Sequence, residues 1–65
     1  MPSSVVAAIR YNEASATLRI IFVSGMVYDY EAVPPAVYQA MKAASSKGTF
    51  LNRYIKGHYA FKKVR

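Results

Sequence analysis

Hydrophobic and polar positions alternate through the first half of the chain and recur at helical spacing in the second. Val5 to Tyr11 is rich in Val, Ile and Ala, and reads as a first strand. The polar run Asn12-Glu13-Ala14-Ser15 has the length of a hairpin turn. Thr17 to Val23 is the clearest strand. It places Leu18, Ile20 and Phe22 on one face and Thr17, Arg19, Ile21 and Val23 on the other. Ser24-Gly25 is a second tight turn, with Gly25 able to take positive φ. Met26 to Glu31 then sets Met26, Tyr28 and Tyr30 against Val27, Asp29 and Glu31. Three strands joined by two short turns predict an antiparallel meander.

Pro34-Pro35 ends the sheet region, and proline suits the first position of a helix because it has no N–H to lose there. Val33, Val37, Ala40, Met41 and Ala44 follow at helical spacing and are expected to face the sheet, so a first helix is predicted over Pro35–Ala44. Ser45 and Ser46 are cap residues by composition. A second helix is predicted over Lys47–Lys56. Phe50, Leu51, Tyr54 and Ile55 lie on one side of it, and Asn52, Arg53 and Lys56 on the other. Gly57 suits the left-handed position that ends a helix. The tail from His58 sets Tyr59, Phe61 and Lys63 against Ala60, Lys62 and Val64, a pattern that fits either a fourth strand or an extended arm.

Strands first and helices second indicate an α+β fold. The expected form is a three-stranded antiparallel meander followed by two short helices packed on one face, with the tail open as a fourth strand. Residues 1–65 make one small domain, with 1–4 and 63–65 as its loose ends. A chain of this size buries only about 60% of its unfolded surface. The per-residue range of globular stabilities puts it at about 3–10 kcal/mol. There is no cysteine, so neither disulfides nor thiolate metal sites contribute. Hydrophobic residues make up 54% of the chain, which argues for a folded domain. No apolar run approaches the roughly 20 residues that span a bilayer, and Met1–Ser4 shows no positively charged leader. A cytoplasmic protein without membrane insertion is the simplest expectation.

Charge changes this picture. Nine Lys/Arg against three Asp/Glu leave a net charge of +6. Seven of the nine bases fall from Lys42 onward, whereas Glu13, Asp29 and Glu31 all lie earlier. Phe50, Tyr54, Tyr59 and Phe61 are woven through the basic tract. Positive charge neutralises phosphates and flat rings stack on bases, so a surface with both is a candidate nucleic-acid platform.

The ordered set of Ser24-Gly25, Tyr28-Asp29-Tyr30, Val33-Pro34-Pro35, Val37-Tyr38, Ser46-Lys47-Gly48, Phe50-Leu51-Asn52, Ile55-Lys56-Gly57 and Tyr59 resembles the KTSC domain. That short module is found at the C-terminus of some lysyl-tRNA synthetases and as a stand-alone bacterial protein. The resemblance runs from about Ile9 to Val64, with Tyr28-Asp29-Tyr30 as the family's central YxY. It implies a single small domain with a proposed RNA-binding role, and it supplies no catalytic residues.

Each motif has a structural and a functional reading. Tyr28 and Tyr30 emerge on one sheet face; they are stacking platforms if that face is open and core if the first helix covers it. Ser45-Ser46-Lys47-Gly48 is an ordinary helix start or a phosphate contact. Lys47, Arg53 and Lys56 form a solvated face or a basic ridge, which Lys62, Lys63 and Arg65 extend. His58 has no carboxylate or second histidine at ligand spacing. Asp29 and Glu31 are expected in cross-strand ion pairs with Arg10 or Arg19.

The leading expectation is therefore a non-enzymatic module that binds RNA or another nucleic acid. Lys47, Arg53, Lys56, Lys62 and Lys63 would neutralise phosphate, and Tyr59 and Phe61, with Tyr28 and Tyr30, would stack. No cofactor or metal is implied. The alternative is a protein-interaction module, with an acidic partner or a second copy of itself; monomer or weak homodimer are both compatible. A small enzyme would need a site built from Tyr, Lys and Asn, and no motif supports one.

Overall fold

The computed structural model describes residues 5–65, so the expectation for 1–4 lies outside the described residues. Four strands form one antiparallel sheet in the order β1-β2-β3-β4: β1 (Val6–Asn12), β2 (Thr17–Phe22), β3 (Val27–Tyr30) and β4 (Phe61–Lys63). Two helical segments lie between β3 and β4: α1 (Pro35–Ala43) and α2 (Lys47–Phe50), the latter running on into a π-helical turn, Leu51–Ile55. The expected α+β meander is present, and the tail is its fourth strand.

Register follows from the alternation. Leu18 pairs with Tyr11 on one side and Tyr30 on the other; Ile20 pairs with Ile9 and Tyr28. These residues share one face, and the helices cover it. Leu18, Ile20, Tyr30, Val33, Met41, Leu51 and Ile55 form the buried core. Burying side chains of this size stabilises a fold by about 1.5–3 kcal/mol each. A bulge between Val6 and Ala8 shifts the register of β1.

Turn chemistry matches the backbone. Asn12 Oδ1 accepts hydrogen bonds from the N–H groups of Ala14 (3.0 Å) and Ser15 (3.4 Å), an Asx turn that starts the β1–β2 connection. Gly25 and Gly57 take φ of 95° and 84°, the left-handed region expected of them. Pro34 precedes the first residue of α1 and Pro35 occupies it.

Three details differ from the pattern-based expectation. Ala40 is exposed, whereas Tyr38 is half-buried and stacks on Tyr11, with centroids 4.9 Å apart and planes at 12°. The inner side of α1 is thus Val37, Tyr38 and Met41. Tyr11 also donates its hydroxyl to the Val33 carbonyl (2.6 Å), which ties β1 to the chain entering α1. Second, the residues expected on one side of the second helix do not share one environment: Leu51 and Ile55 are buried, whereas Tyr54 is 55% exposed and leans on Phe50 at 4.8 Å. Third, the second helix is π-wound after Phe50, and the Lys56 N–H bonds the Leu51 carbonyl at 2.8 Å. At the chain end, where the sequence pattern left 63–65 loose, Val64 and Arg65 donate to the Val27 carbonyl and Arg65 accepts from the Val27 N–H.

Candidate nucleic-acid interface

The covered face of the sheet is not closed at its β4 edge, where Phe61 is half exposed. At its edge Phe22, Tyr28, Tyr30 and Phe61 form a continuous aromatic cluster. Phe22 meets Tyr28 edge-on (5.4 Å, 74°), Tyr28 stacks on Phe61 (5.1 Å, 15°), and Phe61 leans on Tyr30 (5.3 Å, 36°). Strand pairing builds this cluster. Tyr30 lies opposite Phe61 and Tyr28 opposite Lys63, so the side chains of β3 and β4 that share this face are three rings and one ammonium.

Burial grades across the cluster. Tyr30 is 2% exposed and belongs to the core, Tyr28 is half-buried, and Phe61 is 53% exposed. Tyr30 is thus a core residue, whereas Tyr28 packs between Phe22 and Phe61 at the border of core and solvent. Burial, with a smaller contribution from neighbouring Tyr28, raises the Tyr30 phenol above its ordinary value.

Beside this cluster a cleft of about 380 Å³ opens between the β2–β3 end of the sheet and the second helix. Tyr28, Tyr30 and Phe22 form its sheet wall, and Gly48, Leu51, Asn52 and Lys56 its helical wall. Leu51 anchors the helical wall in the core, while Asn52 and Lys56 are exposed. The π-helical turn lies along this wall; such turns occur often at functional sites because they re-aim side chains without ending the helix.

The remaining candidate residues are dispersed. Lys62 points to the opposite sheet face, in register with Asp29. Arg53 lies on the far flank of the second helix, in a shallow hollow with Ser46, Thr49 and Tyr54. Tyr59 is half-buried in an apolar groove with Val37, Ala40, Phe50 and Tyr54. Lys47 folds back so that its Nζ lies 3.4 Å from the carbonyls of Lys42 and Ala44, at the C-terminal end of α1. There it satisfies helix-end acceptors. Ser46 caps α2: its hydroxyl accepts from the Thr49 N–H (3.2 Å) and lies 2.9 Å from the Thr49 hydroxyl. Of the nine candidates, Tyr28, Tyr30 and Lys56 line the cleft, Phe61 stacks on Tyr28, and Lys63 stands in register with Tyr28. Asn52, from the polar side of the second helix, also lines the cleft.

On the opposite face, Arg19 and Asp29 form the expected cross-strand ion pair through two hydrogen bonds, Nε to Oδ1 (2.7 Å) and Nη2 to Oδ2 (3.0 Å). These bonds hold the Asp29 carboxyl below its ordinary value. Burial partly opposes the shift, and the charges of Arg19 and Lys62 add to it. No group of three His, Cys, Asp or Glu that could hold a metal is found among the described residues, and no helix there is long and apolar enough to cross a membrane.

A four-stranded sheet with helices on one face and an aromatic cleft at the edge of that cover defines a small α+β domain. The chain belongs to the KTSC domain family, whose model matches residues 2–59. It is 41% identical over 61 residues to a lysine–tRNA ligase of Nostoc punctiforme; the match covers 94% of this chain and 11% of the ligase. The chain thus spans about a tenth of the length of that relative. A protein of Stutzerimonas stutzeri is 37% identical over 65 residues, covering 98% of this chain and 92% of its own. The crystal structure of a KTSC domain protein from Yersinia pestis superposes with a TM-score of 0.89 at 33% identity, over 100% of this chain and 92% of that one.

Proposed function

We propose that this domain is a non-enzymatic RNA-binding module and that the aromatic cleft is its binding surface. The observation that carries the proposal is the half-exposed Phe61 ring stacked on Tyr28, flanked by Lys63 in register and by a cleft holding Asn52 and Lys56. A ring held flat by a second ring offers its outer face to a base at little further entropic cost, and every base has a π-face to stack on it. Lys56 and Lys63 supply charge for the flanking phosphates, and the Asn52 amide can both donate to and accept from a base edge. Such a site takes unstacked, single-stranded bases rather than a closed duplex. The match to a domain of lysine–tRNA ligases favours RNA over DNA and a cytoplasmic setting.

Fluorescence anisotropy with short single-stranded RNA, duplex RNA and duplex DNA tests the proposal. If three to five phosphates are engaged, log affinity for the single strand falls with log salt at a slope of roughly −2 to −3.5. Binding of the single strand is expected to be the tightest. Equal binding of all three, or an affinity indifferent to salt, contradicts the proposal. If no nucleic acid binds, the apolar groove lined by Val37, Phe50, Tyr54 and Tyr59 becomes the surface to test for a protein partner.

A further inference from the structure

The sheet face opposite the helices carries a row of charged residues one strand apart: Arg10, Arg19, Asp29 and Lys62 stand in register across β1, β2, β3 and β4. Arg10 and Arg19 are directly opposite each other, an arrangement of like charges that costs stability in an antiparallel pair. Asp29 is joined to Arg19 by two hydrogen bonds and lies in register with Lys62, but it makes no salt bridge to Arg10. Both bonds use Nε and Nη2, so Nη1 of Arg19 has no bond to Asp29. Arg10 is exposed and makes no salt bridge among the described residues.

These groups do not lie on a flat surface. Arg10, Asn12, Ser15, Thr17, Arg19 and Asp29 line a hollow of about 310 Å³ beside the β1–β2 turn. The turn orients Asn12, because its Oδ1 is taken by the Ala14 and Ser15 N–H groups and its amide nitrogen is left as a donor. The hydroxyls of Ser15 and Thr17 are bonded to each other at 2.9 Å. The hollow therefore offers donors from Arg10, Arg19 and Asn12, with its one carboxylate committed to Arg19.

We infer that this hollow is a binding site for a phosphate group, held between Arg10 and Nη1 of Arg19 with Asn12 as a third donor. Planar guanidinium forks match tetrahedral oxyanions in geometry as well as charge. An anion here supplies the partner that Arg10, without a salt bridge among the described residues, does not have. The site stands on the face opposite the aromatic cleft and does not depend on what the cleft binds.

The test is an NMR titration of the whole chain with inorganic phosphate against sodium chloride at matched ionic strength, following backbone amides and arginine Nε–H signals. Saturable shifts at Arg10, Asn12 and Arg19 that chloride does not reproduce are expected. Arg10→Gln should weaken the apparent affinity about tenfold, the loss expected for one charged hydrogen-bonding group. Asn12→Asp keeps the turn acceptor but replaces the donor with a negative charge, and should weaken binding at least as much. A dinucleotide that competes with phosphate identifies the ligand as a backbone phosphodiester; failure to compete identifies a free or terminal phosphate. Shifts that rise linearly and equally in chloride, or an Arg10→Gln variant that binds as the parent does, overturn the inference. Neither result involves Phe61, Asn52 or Lys56, so the outcome is independent of the cleft.

Discussion

The two faces of the sheet are built from alternate residues of the same strands and behave as different materials. One face carries Leu18, Ile20 and Tyr30, which have almost no exposure; the other carries Arg10, Arg19, Asn12 and Lys62 in water. A shift of one residue in register would exchange them, so the pleat decides at once what folds the domain and what it can touch. The difference teaches where to look for function in so small a protein. The covered face does its structural task under the helices, and at its β4 edge, where Phe61 stacks on Tyr28 with Lys63 in register, core-type residues meet solvent beside charge.

The largest effect should come from breaking the covered face. Ile20→Ala removes a fully buried side chain at the centre of the sheet and should cost about 2–5 kcal/mol, much of the total stability of so short a chain. Chemical denaturation followed by circular dichroism reads it directly. Phe61→Ala sharpens the contrast between centre and edge. It should weaken single-stranded RNA binding by about 1–3 kcal/mol, the usual worth of one base–aromatic stack. It should cost the fold less than Ile20→Ala, because half of the ring is already in water.

Lys47→Met separates structure from binding at the helical layer. The Lys47 ammonium lies at the end of α1, so its loss should lower stability by about 0.3–1 kcal/mol and leave RNA affinity nearly unchanged. Unchanged stability with weaker binding would return Lys47 to the phosphate-contacting set.

The smallest effect belongs to the open face. Asp29 titrates below its ordinary value in the folded state because Arg19 bonds it. The stability this contributes is present above the ordinary aspartate pKa and is lost as pH falls through the depressed one. Denaturation midpoints measured from neutral to strongly acidic pH should fall along that limb, and Asp29→Asn should flatten it, most visibly at low salt.

Most of the architecture was legible because period-two patterning and turn residues act locally. The faces of β2 and β3, the two positive-φ glycines and the proline start of α1 all follow from neighbours in the chain. The inner face of α1 did not. Helical spacing alone favoured Ala40, but Tyr38 turns inward because a ring on β1, Tyr11, waits to stack with it. Nothing in a helical pattern reports such a partner twenty-seven residues away. The alternation of the tail already separated Lys62 from Lys63 and Phe61, yet it could not say which set lies over the covered face. That depended on β4 pairing with β3 in the Tyr30–Phe61 register. The basic ridge expected of Lys47, Arg53 and Lys56 dissolved for a similar reason. Lys47 found carbonyls to bond, and Lys56 and Arg53 line different hollows of a helix that is π-wound rather than regular. Charge was visible in composition, whereas its grouping was a tertiary property.

The central claim is that the edge of the covered face binds single-stranded RNA. Its most direct test is an NMR amide titration of the chain with a short single-stranded RNA at low and at physiological salt. Saturating shifts centred on Tyr28, Asn52, Lys56, Phe61 and Lys63, weaker at higher salt, are predicted. Shifts that leave these residues still while others move, or no shifts at low salt where a protein of +6 charge meets phosphate most readily, would contradict it.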